Sequence, residues 1–125
     1  MRQLLEIPII LRRVRIDGLH NSREIDMISD TGAMYTAISW DIAKDIGYDP
    51  AVATDRVHII TASGVIEVPK IKIHGIGFGE LYAEDIEVIC HDIPELAGIR
   101  GLLGLSFLKH FRTVMDYKEG YLEIS

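Results

Sequence analysis

Apolar residues recur along the chain in short blocks closed by Gly, Asp, Asn and Ser. From Ile9 to Ile16 they alternate in part with charged positions, the period of a strand that buries one face. Asp17-Gly18 and Asn21-Ser22 mark a connection, after which Glu24 to Ser29 resumes as a strand running into Asp30. The two segments predict a hairpin that delivers Asp30 to a loop. Beyond that loop, Ser39 can cap a short helix, with Asp41 in its first turn and Gly47 closing it before Asp49-Pro50. Ile42, Ala43 and Ile46 are spaced to share one helical face.

The same pattern continues downstream. Residues 56 to 68, RVHIITASGVIEV, place strand formers on both sides of Thr61-Ala62-Ser63-Gly64 and predict a hairpin with a small tip. Pro69 is expected at an edge or the start of a strand, because it has no N–H to donate. A strand from Ile71 to His74, a turn through GIGFG and a return from Leu81 to Cys90 follow. Gly75, Gly77 and Gly79 lack the spacing and the strand–helix context of a dinucleotide loop, so a hairpin turn is the expected reading. Residues 92 to 98 read as loop, Ile99 to Leu103 as an apolar strand, and Leu105 to Phe111 as a short helix with Leu105, Leu108 and Phe111 on one face. Two short strands, turning at Lys118-Glu119-Gly120, close the chain. The succession of short strands with little helix predicts an all-β fold.

Composition narrows the function. A chain of 125 residues is expected to form one domain, residues 1 to 125, with no linker dividing it. Its net charge of −6 argues against nucleic acid as a partner, since affinity for phosphate backbones comes from clustered Lys and Arg. Arg12, Arg13 and Arg15 read as the solvated side of a strand. Glu6 and Pro8 interrupt the apolar N-terminus and no small-residue cleavage site follows, so a signal peptide is not expected. Nor does any uncharged apolar run reach the roughly 18 to 20 residues of a membrane helix. A soluble, cytoplasmic protein without a membrane partner is the expectation. Cys90 is the sole cysteine, flanked by Val88 and Ile89, and reads as a buried inert thiol. The five histidines are dispersed without metal-ligand spacing, so neither a metal nor another cofactor is expected.

Asp30 is the strongest candidate for chemistry. An Asx-type turn would account for a lone Asp before Gly. Three neighbouring features favour more: Gly32 permits close backbone approach, Thr31 adds a hydroxyl that can tie the loop to another segment, and the later GLLG offers a second glycine-terminated apolar strand on which the loop could rest. Asp30-Thr31-Gly32-Ala33 resembles the active-site signature of the retropepsin-like aspartic proteases. The order of features agrees: a hairpin before Asp-Thr-Gly, a glycine-tipped hairpin about thirty residues on, then Leu102-Leu103-Gly104 and a short helix. The resemblance spans roughly residues 9 to 124.

That resemblance implies a closed or partly closed β-barrel with one flap hairpin and one or two short helices. It implies Asp30 as the catalytic aspartate, Thr31, Gly32 and Ala33 as its loop, and Thr61, Ala62, Ser63 and Gly64 as a flap over substrate. Leu102, Leu103 and Gly104 would support the catalytic loop. Two positions depart from the family pattern: Met34 stands where a small polar or acidic residue is frequent, and Ser29 where many members are aliphatic.

The activity implied is an aspartic endopeptidase acting on peptide or protein substrates, and its chemistry needs two carboxylates. The chain has one Asp-Thr-Gly, and Asp116 lacks the following Thr-Gly and reads as a turn residue. The second acid would therefore come from a second copy, in a homodimer with Asp30 paired across a twofold axis. The alternative is a catalytically inactive module of the same fold that binds extended peptides or serves only to dimerise.

Overall fold

The computed structural model describes residues 1–93 and 98–125; part of the loop expected at 92 to 98 lies outside the described residues. Ten strands and two short helices follow in the order β1 (Arg2–Leu4), β2 (Ile10–Asp17), β3 (Ser22–Ser29), β4 (Thr36–Ile38), α1 (Trp40–Asp45), β5 (Asp55–Thr61), β6 (Gly64–Phe78), β7 (Leu81–Cys90), β8 (Ile99–Leu103), α2 (Leu105–Leu108), β9 (Thr113–Asp116) and β10 (Tyr121–Ile124), with a 3-10 turn at Pro50–Val52. The larger sheet runs β2-β3-β8-β4-β7-β6-β5. A further pairing of Arg15–Asp17 in β2 with Gly75–Gly77 in β6 bends it into a nearly closed ring. β5 stays outside the ring, paired along the first half of β6.

Strand alternation sets what faces inward. Ile25, Met27 and Ser29 of β3 are buried, and the residues between them are not. In β2 the buried Leu11 and Val14 are three positions apart, which strict alternation would place on opposite faces. The register with β3 shifts between them, and Arg13 adopts φ +59. This bulge spends its extra residue on exposed arginines and keeps both apolar side chains inside. The core so formed is capped by Ile42 and Ala43 of α1 and by Ile46 at its C-terminal cap, each fully buried, and each large aliphatic side chain there contributes about 1.5–3 kcal/mol. Ser39 caps α1 by accepting from the Ile42 N–H at 3.4 Å, and Gly47 leaves it at φ +106.

Three expectations need correction. Pro69 and the glycines do not divide residues 64 to 78, which form one continuous strand. Pro69 faces Arg56 of β5, while pairing with β7 begins only at Lys70, opposite Ile89. It sits where β6 acquires its second partner, so a missing N–H interrupts little of the ladder. The turn into β7 is made beyond Phe78, at Gly79 (φ +59) and Glu80. Gly75 lies inside the strand because the ring of Tyr82 occupies the space a Cβ would take, and a Cβ at Gly77 would lie 3.0 Å from the Arg15 guanidinium. Finally, α2 ends at Leu108 and its first residue, Leu105, is 43% exposed, while Ser106, Phe107 and Leu108 are buried. Phe111, beyond the helix, packs on Phe107 with ring centroids 5.0 Å apart.

The smaller sheet has the order β1-β10-β9. β1 was not expected from the pattern, and it pairs through Arg2–Leu4 with Tyr121–Glu123. Leu122 and Ile124 join this sheet to the core. Among the described residues no helix is long and apolar enough to cross a membrane.

Candidate active site

Asp30 lies immediately beyond the end of β3, where the chain leaves the ring. Its N–H donates to the Leu103 carbonyl at 2.9 Å, extending the parallel pairing of β3 with β8 by one bond. The loop then turns on itself. The Gly32 N–H donates to Asp30 Oδ1 at 3.0 Å, and the Ala33 N–H to the Asp30 carbonyl at 3.2 Å. A Cβ at Gly32 would stand 3.3 Å from Asp30 Oδ1, so glycine keeps this approach unobstructed. Asp30 is half-buried, and Thr31 and Gly32 are exposed.

A second chain segment supports this loop from beneath. The N–H groups of Leu105 and Ser106 donate to the carbonyls of Ala33 and Met34, at 2.8 and 2.9 Å. Gly104 permits the contact, because any Cβ there would run into the backbone of Tyr35 and lie 2.8 Å from the Ala33 carbonyl oxygen. Leu103 is fully buried, and the half-buried Leu102 pairs with both Ile28 and Ala37. The structure thus brings Asp30, Thr31, Gly32 and Ala33 together with Leu102, Leu103 and Gly104.

The hairpin of β5 and β6 carries Thr61, Ala62, Ser63 and Gly64 at its exposed two-residue tip. Thr61 Oγ1 accepts from the Ser63 N–H at 3.2 Å and donates to the Gly64 carbonyl at 3.0 Å, and Gly64 adopts φ +118. Val57, Ile59 and Ile66 line one face and pack with Tyr35 and Leu102 around Ala37, Val68 and Ile89. This second apolar cluster connects the body of the hairpin to the strand beside the Asp30 loop. On the other face, Ile60 and Val65 are cross-strand neighbours left 87% and 64% exposed.

The remaining candidates fall into structural settings. Asp116 Oδ1 accepts from the Glu119 N–H at 2.9 Å and closes the β9–β10 turn, where Gly120 takes φ +76. Cys90 is buried, and its burial pushes the thiol up to about 12. His58 lies across the hairpin from Glu67, 3.5 Å away. Among the described residues no cluster of three or more His, Cys, Asp or Glu side chains could hold a metal.

Two buried polar features adjoin the Asp30 loop. Thr36 and Ser106, both buried, are joined by a side-chain hydrogen bond of 3.0 Å directly behind the Asp30 loop. Seventy positions separate them, so no local pattern could couple the two. Ser29, whose departure from the family pattern was legible, has a buried hydroxyl with no hydrogen-bond partner among the described residues. Such a group costs about 1–3 kcal/mol relative to a paired one.

Comparison with known proteins agrees with this geometry. The sequence profile of the family described as "gag-polyprotein putative aspartyl protease" matches residues 16–110. The chain belongs to this aspartyl protease family. The match takes in the Asp30 loop, the β5–β6 hairpin, and Leu102 through Ser106. A crystal structure of a retropepsin-like aspartic protease from Rickettsia conorii superposes with a TM-score of 0.64 at 23% identity, covering 98% of this chain and 91% of that one. The fold is therefore retropepsin-like. An uncharacterized protein in the cobV 5' region of Sinorhizobium sp is 31% identical over 93 residues, which are 74% of this chain. The matched region spans only 37% of that relative's length.

Proposed function

We propose that residues 1 to 125 form one aspartic endopeptidase domain, which hydrolyses peptide bonds with a dyad made from Asp30 of two copies. The observation that carries this reading is the Asp30 carboxylate itself. It is held by the Gly32 N–H on a loop that Leu103, Leu105 and Ser106 fix from beneath, while Thr31 and Gly32 stay exposed above. A loop anchored on one side and open on the other suits a site completed by a second copy.

With two such carboxylates adjacent, both cannot ionise cheaply and one proton is shared, a coupled titration of which aspartic proteases are the standing example. The ionised member takes a proton from a water lying between them, which then attacks the peptide carbonyl. The protonated member donates to the carbonyl oxygen. Two carboxyl groups thus act as base and acid without a covalent intermediate or a cofactor. Thr61, Ala62, Ser63 and Gly64 would close over an extended peptide and exclude bulk water.

The deciding experiment measures peptide cleavage and mass in solution together, for wild type and Asp30→Asn. Cleavage that follows the dimer on dilution and disappears in the variant is expected. Full activity from a strict monomer would overturn the shared dyad, and cleavage that survives in Asp30→Asn would overturn Asp30 as the acid.

A further inference from the structure

Three polar side chains are buried among the described residues, Ser29, Thr36 and Ser106, and two of them form a closed set of hydrogen bonds. Ser106 Oγ donates to Thr36 Oγ1 at 3.0 Å and accepts from the Thr36 N–H at 2.9 Å. Thr36 Oγ1 also accepts from the Gly104 N–H at 3.1 Å. Thr36 begins β4, just after the Asp30 loop, and Gly104 and Ser106 belong to the segment beneath it. Loop and support are therefore fastened at both ends: by Asp30 N–H to Leu103 at the start, and by the two hydroxyls at the finish. The Leu105 and Ser106 N–H bonds to Ala33 and Met34 lie between.

We infer that Thr36 and Ser106 are positioning residues for Asp30, a buried hydroxyl clip that fixes how far the loop stands above its support. The inference rests on Asp30 being the catalytic acid. Apolar side chains of similar shape would fill the same volume but would leave two buried backbone donors unpaired. What the hydroxyls add is direction. They satisfy the N–H groups of Thr36 and Gly104, which are otherwise buried donors without partners, and hydrogen bonds weaken steeply when their geometry is bent. A dyad whose two halves sit on separate chains depends on the placement of each loop, and a misplacement of about 1 Å costs on the order of 100-fold in rate.

The test compares Thr36→Val, Thr36→Ser and Ser106→Ala in the full chain by amide hydrogen exchange and by peptide cleavage. In Thr36→Val the Gly104 and Asp30 amides should exchange at least about tenfold faster, with Leu122 in the smaller sheet unchanged. kcat should fall about 10- to 100-fold with KM within about threefold of wild type. Thr36→Ser, which keeps the hydroxyl, should restore both readouts to within about threefold. Unchanged Gly104 exchange in Thr36→Val, an equal rise at Leu122, or a local rise without loss of kcat would each overturn the inference. Should Thr36→Val fail to fold, Ser106→Ala decides: its Gly104 bond to Thr36 remains, so faster exchange at Thr36 with Gly104 protected supports the clip, and the reverse pattern overturns it. Absence of cleavage by the wild type would sink the protease reading and with it the catalytic part of the role, while the exchange measurements, which need no turnover, would still decide whether the two hydroxyls clip the loop to its support.

Discussion

The Gly32 N–H donates to Oδ1 of Asp30 at 3.0 Å, so the backbone of the candidate catalytic loop holds its own carboxylate. Asparagine keeps a side-chain oxygen for that bond. Asp30→Asn should therefore fold with a Tm within a few degrees of wild type while cleavage falls by at least about 100-fold, the lower end of what acid–base catalysis supplies. Calorimetry and a peptide-cleavage assay on one preparation separate the two effects. A large fall in Tm would mean that the charge, and not only the acceptor, holds the loop.

Gly64 takes φ +118, and a Cβ built on it meets nothing within 4 Å. The penalty for any L side chain there is backbone strain, about 1–2 kcal/mol, with no crowding added. Gly64→Ala and Gly64→Val should thus lower kcat/KM by similar factors, about tenfold. Both should lower Tm by only about 2–8 °C, the amount that strain represents in a domain of this size. A much larger effect for Val than for Ala would place a neighbour over the tip, in the working enzyme, that a single chain lacks.

Asp17 contributes to the acid side of stability. Burial alone would raise its carboxyl, but the Ser22 hydroxyl at 2.6 Å and the Arg15 guanidinium at 3.0 Å outweigh that and hold it below the usual 3.8. A depressed folded value means that the contribution is present above about pH 4 and is lost as pH falls through the folded value. Asp17→Asn should cost about 1 kcal/mol at pH 7 and nothing at the acid end, where Asp17 is protonated in both states. Urea unfolding at several pH values checks this, and a cost independent of pH would contradict it.

Cys90 acts in the opposite direction. Its thiol is raised by burial from 9.0 to about 12, so the folded state keeps a proton that the unfolded chain releases. Its contribution is fully present below pH 9 and declines between pH 9 and about 12. Cys90→Ala should flatten that alkaline decline, at the cost of a small cavity. A thiol reagent at pH 8 should label the wild type no faster than the chain unfolds, and prompt labelling of the native protein would refute the buried thiol.

What was legible in the chain follows the range of each interaction. The strand from Glu24 to Ser29, the Ser39 cap and the Asp30-Thr31-Gly32 turn are short-range patterns, and the structure has each of them. Gly75 and Gly77 read locally as turn residues because glycine is a signal of bending. Their cause is the Tyr82 ring and the Arg15 guanidinium, which only the folded ring brings alongside. β1 is three residues long, too short to display a period, and it exists because β10 offers an edge from the far end of the chain. The Thr36–Ser106 bond was hidden for the same reason, since nothing near either residue in sequence marks its partner.

The uninterrupted run of β6 has a mechanical consequence. At 15 residues it is about 50 Å long, and its two parts are held unequally. Residues 64 to 69 are paired with β5 alone, while residues 70 to 78 are paired with β7 throughout most of their length and with β2 at Gly75–Gly77. The strand is a cantilever: its root is built into the wall of the ring and its free arm carries the tip. The arm is not free along its whole length: Val57, Ile59 and Ile66 pack on the cluster of Ala37, Val68 and Ile89, so a deflection at Gly64 is taken up in residues 60 to 65, beyond that support.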